Sequence, residues 1–322
     1  MTTNNETSEE NTTVTTESIV TNITDATSQS IFNQKSITIV ESSNELEKLD
    51  KWDLRSVYVN NDGKYDYSVS KSLWVKDETY STYDFKSAQP IQYYFDQLEN
   101  WDDAIFQAQL NIYLKGYSTR LIFPTGTINI SKPILGGCAL ALKIHEYLVS
   151  NKVETDFYDS VANTFKKYVW GQEFIGTRSC TINWTGSTIG TDVKWRDWAI
   201  FHIGCPPTHM DWMRNESISP VCDDHVKFEN IHIFGNGAFI HGIFVQRQSF
   251  VKISFCQVLS CLGSGVFIDR TYDSAFEKLT VLHCGRMVGS TESEAYEKGY
   301  GIDKQLMHRY ILLSRVVITV TT

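Results

Sequence analysis

Several features are scarce or missing in this 322-residue chain, and each removes a class of protein. No apolar stretch reaches the roughly 20 residues needed to span a bilayer. The N-terminus has neither the basic start nor the apolar core of a secretory signal, so export by that route is not expected. Basic residues are outnumbered, 29 Lys and Arg against 38 Asp and Glu, for a net charge of -9. Nucleic-acid binding through an overall field rests on Lys and Arg neutralising phosphate, so that partner is not expected either. The seven cysteines are odd in number and scattered from Cys138 to Cys284, which does not make a disulfide framework in a chain this large. They are read as reduced. Nothing resembles a phosphate-binding glycine loop or an elbow carrying a nucleophilic serine, and no cofactor is required by any motif present. One metal pattern is spelled out: Cys205-x3-His209 with Cys222-x2-His225 has spacing compatible with tetrahedral zinc. Pro206, Pro207 and the residues between the halves read instead as an irregular loop, and no metal is assigned.

What the chain does have is segmented. Residues 1–34 are Thr, Ser, Asn and Glu with almost no large apolar groups, too little buried surface to offset ordering entropy, and are expected to be a disordered tail. Residues 35–98 read as a small mixed α/β segment. In it Ile37 to Val40 alternates, Asn44 to Leu49 suits a short helix, and Val57-Tyr-Val59 runs into the turn Asn60-Asn-Asp-Gly63. Its aromatics, among them Trp52, Tyr58, Tyr65, Tyr67, Trp74, Tyr80 and Tyr83, suit either sugar stacking or the packing of a small domain, and packing is preferred. Asn100 opens a helix whose Ala104, Ile105, Ala108 and Ile112 share one face, and Gly116 ends it. Asp102 and Asp103, at the start of that helix, are assigned to capping and dipole compensation rather than to acid–base chemistry. Leu121 to Phe123 and Thr127 to Ile130 follow as two strands joined by a tight connection.

Between Phe228 and Gly285 one pattern recurs three times: Phe228-Glu-Asn-Ile-His-Ile233, Ile253-Ser-Phe-Cys-Gln-Val258 and Phe276-Glu-Lys-Leu-Thr-Val281. A second ladder, Gly242-Ile-Phe-Val245 and Gly265-Val-Phe-Ile268, interleaves with it. Two different strands recurring once per turn is the signature of a solenoid, in which stacked turns bury one another's apolar faces.

The run Trp101-Asp-Asp-Ala-Ile-Phe-Gln-Ala-Gln109, Arg120-Leu-Ile-Phe-Pro-Thr-Gly-Thr127 and Ile130-Ser-Lys-Pro133 resembles the opening of pectate-lyase-superfamily right-handed parallel β-helices. The resemblance extends through Phe174-Ile-Gly176 and Thr181-Ile-Asn-Trp184 to Gly285, and the segment before it is similar to those preceding the helix in bacteriophage tailspikes. It implies an all-β, single-stranded right-handed parallel β-helix over 99–304 with a short capping helix and an insertion at 138–170. An atypical end at 305–322 suggests a truncated chain or one completed in a trimer. The functional implication is a tailspike-like protein, in a homotrimer on a virion, that binds bacterial capsular or lipopolysaccharide glycans, with their degradation left open. Lyase and glycoside hydrolase both stay open. A non-catalytic adhesin or virion structural protein is the alternative, and a cytoplasmic bacterial carbohydrate-modifying enzyme a third. The sequence departs from the family where Tyr93 to Glu99 replaces its usual glycine-rich turn.

Two outward columns follow from register. Phe228, Ile253 and Phe276 align Glu229, Ser254 and Glu277. Two strand spacings put the glutamates about 9 to 10 Å apart, near the upper edge of the roughly 6.5–9.5 Å used by inverting glycosidases. Gly242 and Gly265 align Phe244 with Phe267, Gln246 with Asp269 and Arg247 with Arg270. Asp269, Asp273, Glu277 and Glu229 are the acid–base candidates. Arg247, Arg270, Phe244, Phe267 and Tyr272 are the candidates for gripping an acidic sugar, because Arg pairs bidentately with carboxylates. The competing expectations are that the glutamates are idle surface groups and that the insertion covers the phenylalanines. His202, His232, His241 and His283 lie in or beside strands, where a histidine is usually only hydrogen bonded.

Overall fold

The computed structural model describes residues 38–49, 56–68, 71–78, 82–152, 158–159, 164–165, 171–186, 197–209, 225–269, 271, 273–285 and 318–321. The expected disordered tail at 1–34 lies outside them. The chain is mostly β, with several parallel sheets and few helices.

Strands β1 (Thr38–Val40), β2 (Ser56–Val59), β3 (Gly63–Ser68) and β4 (Leu73–Lys76) form one sheet in that order, β1 parallel to β2 and the others antiparallel. The expected short helix is a 3-10 helix, Ser43–Lys48. Alternation divides the sheet between two cores. Val40, Val57 and Val59 pack with Leu46 and Trp74, while Ile39 and Tyr58 face the other way into the main core. Tyr58 meets Phe85 and Tyr93 edge-on at 5.0 and 4.8 Å, and Tyr83 lies 5.9 Å from Tyr93. These rings pack the protein, as preferred; Trp52 and Tyr80 lie outside the described residues.

After β5 (Gln89–Pro90) come α1 (Ile91–Leu98) and α2 (Trp101–Lys115). The Asn100 side chain accepts from Asp103 N at 3.1 Å and so caps α2. Gly116, at φ 64°, ends the helix with its N–H on Ile112 O at 2.9 Å. Asp102 is structural, but it does not cap its own helix. Its carboxylate accepts Ser131 N at 3.0 and 3.1 Å and Lys132 N at 3.1 Å, together with the Ser131 hydroxyl, and so holds the turn that follows a strand of the stack.

The stack begins with β6 (Arg120–Phe123), β7 (Gly126–Ile130) and β8 (Ile134–Gly136). Helix α3 (Gly137–Ser150) and the antiparallel pair β9 (Tyr158–Asp159) and β10 (Thr164–Phe165) intervene. The remaining strands are β11 (Glu173–Trp184), β12 (Ala199–Ile203), β13 (Lys227–Ala238), β14 (His241–Gln246), β15 (Lys252–Ser254), β16 (Gln257–Cys261), β17 (Val266–Asp269), β18 (Ala275–Glu277), β19 (Leu279–Leu282) and β20 (Ile318–Thr321). All pair in parallel, on three faces. The first holds β5, β6, the start of β11, the start of β13, β15 and β18. The second holds β7, the rest of β11 and β13, then β16, β19 and β20. The third holds β8, β12, β14 and β17.

The register is the one the repeats dictate: Phe228 opposes Ile253 and Ile253 opposes Phe276, while Ile233 opposes Val258 and Val258 opposes Val281. All six are buried. The Phe174 and Phe228 rings stack at 5.0 Å, and Phe201 from the third face meets Phe228 edge-on at 5.3 Å, so residues of the three faces share one apolar core cluster. All six described cysteines are buried free thiols.

One backbone feature explains the spacing of the repeat. Between the first and second faces the chain turns through a left-handed residue in four successive passes: Ser179 (φ 65°), Asn230 (56°), Phe255 (55°) and Lys278 (49°). A plain strand alternates with period two. The left-handed residue resets that alternation, so Phe228 and Ile231, three apart, both point inward.

Candidate functional site

The column of left-handed residues bends the chain between two outer faces, and an open groove of about 600 Å³ lies along the bend. Its lining comes from two sources. Arg178, Ser179, Asn230, Phe255 and Lys278 come from the corner, and His232, Gln257 and Thr280 from the outer side of the second face. The last three form one column, His232 opposite Gln257 and Gln257 opposite Thr280. Phe255 is 42% exposed although its φ is 55°, a conformation that costs a bulky side chain about 1–2 kcal/mol. Lys278 Nζ sits 4.4 Å from the Phe255 ring centroid, so ring and cation are held against each other.

Beside the groove, on the outer side of the first face, run the expected glutamates. Glu229 opposes Ser254 and Ser254 opposes Glu277, which puts the glutamate backbones about 9.6 Å apart at a spacing of about 4.8 Å per strand. Glu229 is ion-paired with Lys227, two residues away on the same strand. Glu277 is exposed, and Ser254 between them is buried. Arg120 on this face is likewise paired, with Glu173 at 3.0 Å.

The third face keeps its expected register: Phe244 opposes Phe267 and Gln246 opposes Asp269. The phenylalanine rings stack at 5.2 Å, and His202 continues the column over Phe244 at 4.6 Å. The expectation that this face presents an open platform needs correcting. Phe244 is only 7% exposed, Asp269 9% and Gln246 1%. The chain just past β12 packs against two of them: a Cβ on Gly204 would come within 2.7 Å of Gln246 Cβ and 3.1 Å of the Phe244 ring. Cys205 N donates to Gln246 Oε1 at 3.2 Å, and Gln246 Nε2 donates to Asp269 Oδ2 at 3.0 Å, a buried polar chain. Gly204 and Cys205 thus pack beside Phe244 and Gln246, and most of the 153–170 part of the insertion lies outside the described residues. Phe267 is half-buried.

Burial drives the His202 pKa down to about 4, against a hydrogen bond to the Cys205 carbonyl that acts the other way, so the ring is neutral at pH 7. Arg247 lies in the turn after β14 at φ 53°, its N–H on Asp269 O at 2.9 Å. Asp273 is exposed in the turn before β18. Arg270 and Tyr272 lie outside the described residues. The structure thus brings Glu229 and Glu277 beside one groove and leaves Asp269 and Phe244 buried on another face.

Among the described residues no group of three His, Cys, Asp or Glu side chains could hold a metal. In the zinc-like pattern Cys205 is buried, His225 stacks on Phe250 at 4.7 Å, and Cys222 lies outside the described residues. No helix among the described residues is long and apolar enough to cross a membrane.

Of the groove residues, only His232 is a candidate from the sequence. A signal for the corner residues does exist in the repeat. Apolar positions three apart cannot both face inward on a straight strand, so the second position of each gap must sit at a bend, and those positions are Asn230, Phe255 and Lys278.

No known protein family matches the chain, and no curated protein matches it. Among solved structures it is similar to ORF18 of Geobacillus virus E2, at 14% sequence identity and a TM-score of 0.44. The match covers 83% of this chain and 45% of that one. The chain therefore spans less than half the length of this phage protein.

Proposed function

We propose that the parallel strands wind as a right-handed β-helix of the pectate-lyase-like kind, and that the protein binds a bacterial surface polysaccharide along the corner groove, as a tailspike does. The observation that carries this reading is the groove itself. It is open, elongated along the strand stack, and combines an exposed aromatic ring with hydrogen-bonding side chains from four successive passes. Flat rings offer apolar area to sugar faces, and Asn, Gln, Ser and Thr supply both donors and acceptors for hydroxyls. The proposed setting is a homotrimer on a virion.

Two versions of this function differ at the glutamates. In the cleaving version Glu229 and Glu277 act as the acid–base pair at the groove edge, while Asp269 is buried on the third face and Asp273, though exposed, does not line the groove. In the adhesin version the groove only holds the chain, a reading favoured by the engagement of Glu229 with Lys227. The test is incubation of the purified protein with capsular polysaccharides while following polymer size, reducing ends and the ultraviolet absorbance of unsaturated uronides. Retention without shortening supports the adhesin. Shortening that disappears in Glu277→Gln supports the cleaving pair, whereas shortening that survives Glu229→Gln and Glu277→Gln together refutes it. Absence of retention and of shortening across the panel refutes the glycan reading. Sedimentation equilibrium gives the oligomeric state independently.

A further inference from the structure

We infer that the corner groove is a two-point clamp for anionic glycan segments, with Arg178 and Lys278 each taking an acidic group and Phe255 carrying the sugar between them. This rests on the reading of the groove as a glycan site and adds the charge of the ligand and its minimum length.

The argument begins with charge bookkeeping. The chain carries 38 acidic residues against 29 basic ones, yet the groove lining contains Arg178, Lys278 and His232 and not one carboxylate. On the adjoining face Arg120 and Lys227 are each neutralised by a glutamate. Among the described residues Arg178 and Lys278 have no carboxylate partner. Two cations without an ion-pair partner among the described residues, in a groove with Glu277 only at its edge, make a local anion site against the overall repulsive field of a chain of net charge -9. Such a site selects by contact rather than by long-range attraction, since fields decay within about 10 Å at 0.1 M salt.

Spacing sets the length. The corner positions Ser179, Asn230, Phe255 and Lys278 occupy successive strands. The backbone positions that carry the two cations therefore stand about three strand spacings apart, roughly 14 Å. Phe255 lies next to the Lys278 end, beneath its ammonium. A single acidic sugar reaches one cation; an oligomer reaches both and gains from the second contact being intramolecular. Guanidinium pairs with carboxylate or phosphate in two-point fashion, while an ammonium acts as a point charge, so the Arg178 end is the more exacting of the two.

Single-stranded nucleic acid is also a linear polyanion that stacks on aromatic rings. Two cations in a chain of net charge -9 are few for that ligand, whose affinity is built from many phosphate contacts.

The experiment is affinity electrophoresis and titration of the full-length protein with polygalacturonate, hyaluronate and polysialate as acidic glycans, dextran as the neutral one, and oligo-dT as the other polyanion. Arg178→Gln and Lys278→Gln are compared with Arg120→Gln, a control on the adjoining face, after circular dichroism shows each variant folded. The expected result is retention by at least one acidic glycan. Affinity falls roughly tenfold in each groove variant, the value for losing a charge-assisted hydrogen bond, and is unchanged in Arg120→Gln. Monosaccharide uronate should compete at least a hundredfold less well than oligomers. Retention on dextran with no effect of the groove variants overturns the anionic clamp and leaves the glycan reading standing. Tighter retention by oligo-dT than by any acidic glycan overturns it in favour of nucleic acid. Retention by none of these polymers overturns the anionic clamp, while the glycan reading falls only if the capsular polysaccharide panel is also neither retained nor shortened.

Discussion

Phe228 and Phe255 belong to adjacent passes of the same repeat, and the structure assigns them opposite fates. Phe228 is fully buried, stacked on Phe174 at 5.0 Å and crossed edge-on by Phe201 at 5.3 Å. Truncating it removes the transfer energy of the ring and leaves a cavity in a stack held on both sides, so Phe228→Ala should cost about 3–5 kcal/mol. Phe255 is 42% exposed, with one identified ring contact, the Lys278 ammonium. An exposed cation–π contact contributes about 0.5–1 kcal/mol, so Phe255→Ala should cost about 1 kcal/mol or less. Phe255→Gly should fall even closer to wild type, because at φ 55° glycine relieves a left-handed strain of about 1–2 kcal/mol. Urea unfolding followed by far-ultraviolet circular dichroism gives the three midpoints, with unchanged m-values required for comparison. Equal losses for Phe228→Ala and Phe255→Ala would refute the register. A one-residue slip exchanges the inner and outer faces of a strand, so it would abolish or reverse the difference expected between the two.

Three further outcomes are expected. Asp102→Ala orphans the N–H groups of Ser131 and Lys132 and should lower stability by about 1–3 kcal/mol, measured by the same urea titration, with Asp102→Asn intermediate. Gly242→Ala should cost about 1–3 kcal/mol or more, seen as a lower thermal midpoint, because its Cβ would stand 2.4 Å from the Gly265 carbonyl oxygen, a backbone atom of the next strand that cannot swing aside. His202 has a folded pKa of about 4 against an ordinary 6.5, so the unfolded chain binds the extra proton between those values. Its contribution is complete above pH 6.5 and is lost as pH falls toward 4, by up to about 3 kcal/mol at 1.36 kcal/mol per pH unit. His202→Gln should flatten that part of the stability–pH curve, and an unchanged slope would show the ring is not buried.

The interior of this fold is legible in the chain because burial repeats. Phe228, Ile253 and Phe276 announce their register through like residues at like positions, and Asn100 and Gly116 mark the ends of α2 by their own backbone chemistry. Earlier passes are harder to read. In β11 a register shift between Ile175 and Cys180 stretches the pattern, so Phe174 and Cys180 stand six residues apart where Phe228 and Ile231 stand three. The site was less legible for a different reason. Alternation tells which way Phe244 and Gln246 point but not what packs against them, and those contacts come from Gly204 and Cys205, on a different pass of the chain. The three-residue gap of the repeat marks where the corner residues stand, but their side chains differ from one pass to the next, so no repeated residue type marks the groove.

The corner column links fold to site. A left-handed residue is needed there on every pass, or the chain could not leave the first face and begin the second with apolar side chains inward on both. Glycine would satisfy that need without strain, and asparagine nearly so. Asn230 fits this demand of the backbone alone; Phe255 and Lys278 do not. Both hold large side chains in an unfavourable conformation, both project them into the groove, and the two touch. Strain of this kind persists where the surroundings impose it, and it clusters at ligand sites. Replacing Phe255 and Lys278 together by glycine separates the two demands. If the corner serves only to turn the chain, the double variant should be at least as stable as wild type and bind any glycan ligand equally well. If the side chains make the groove a site, stability should hold while retention by the acidic polymer is lost.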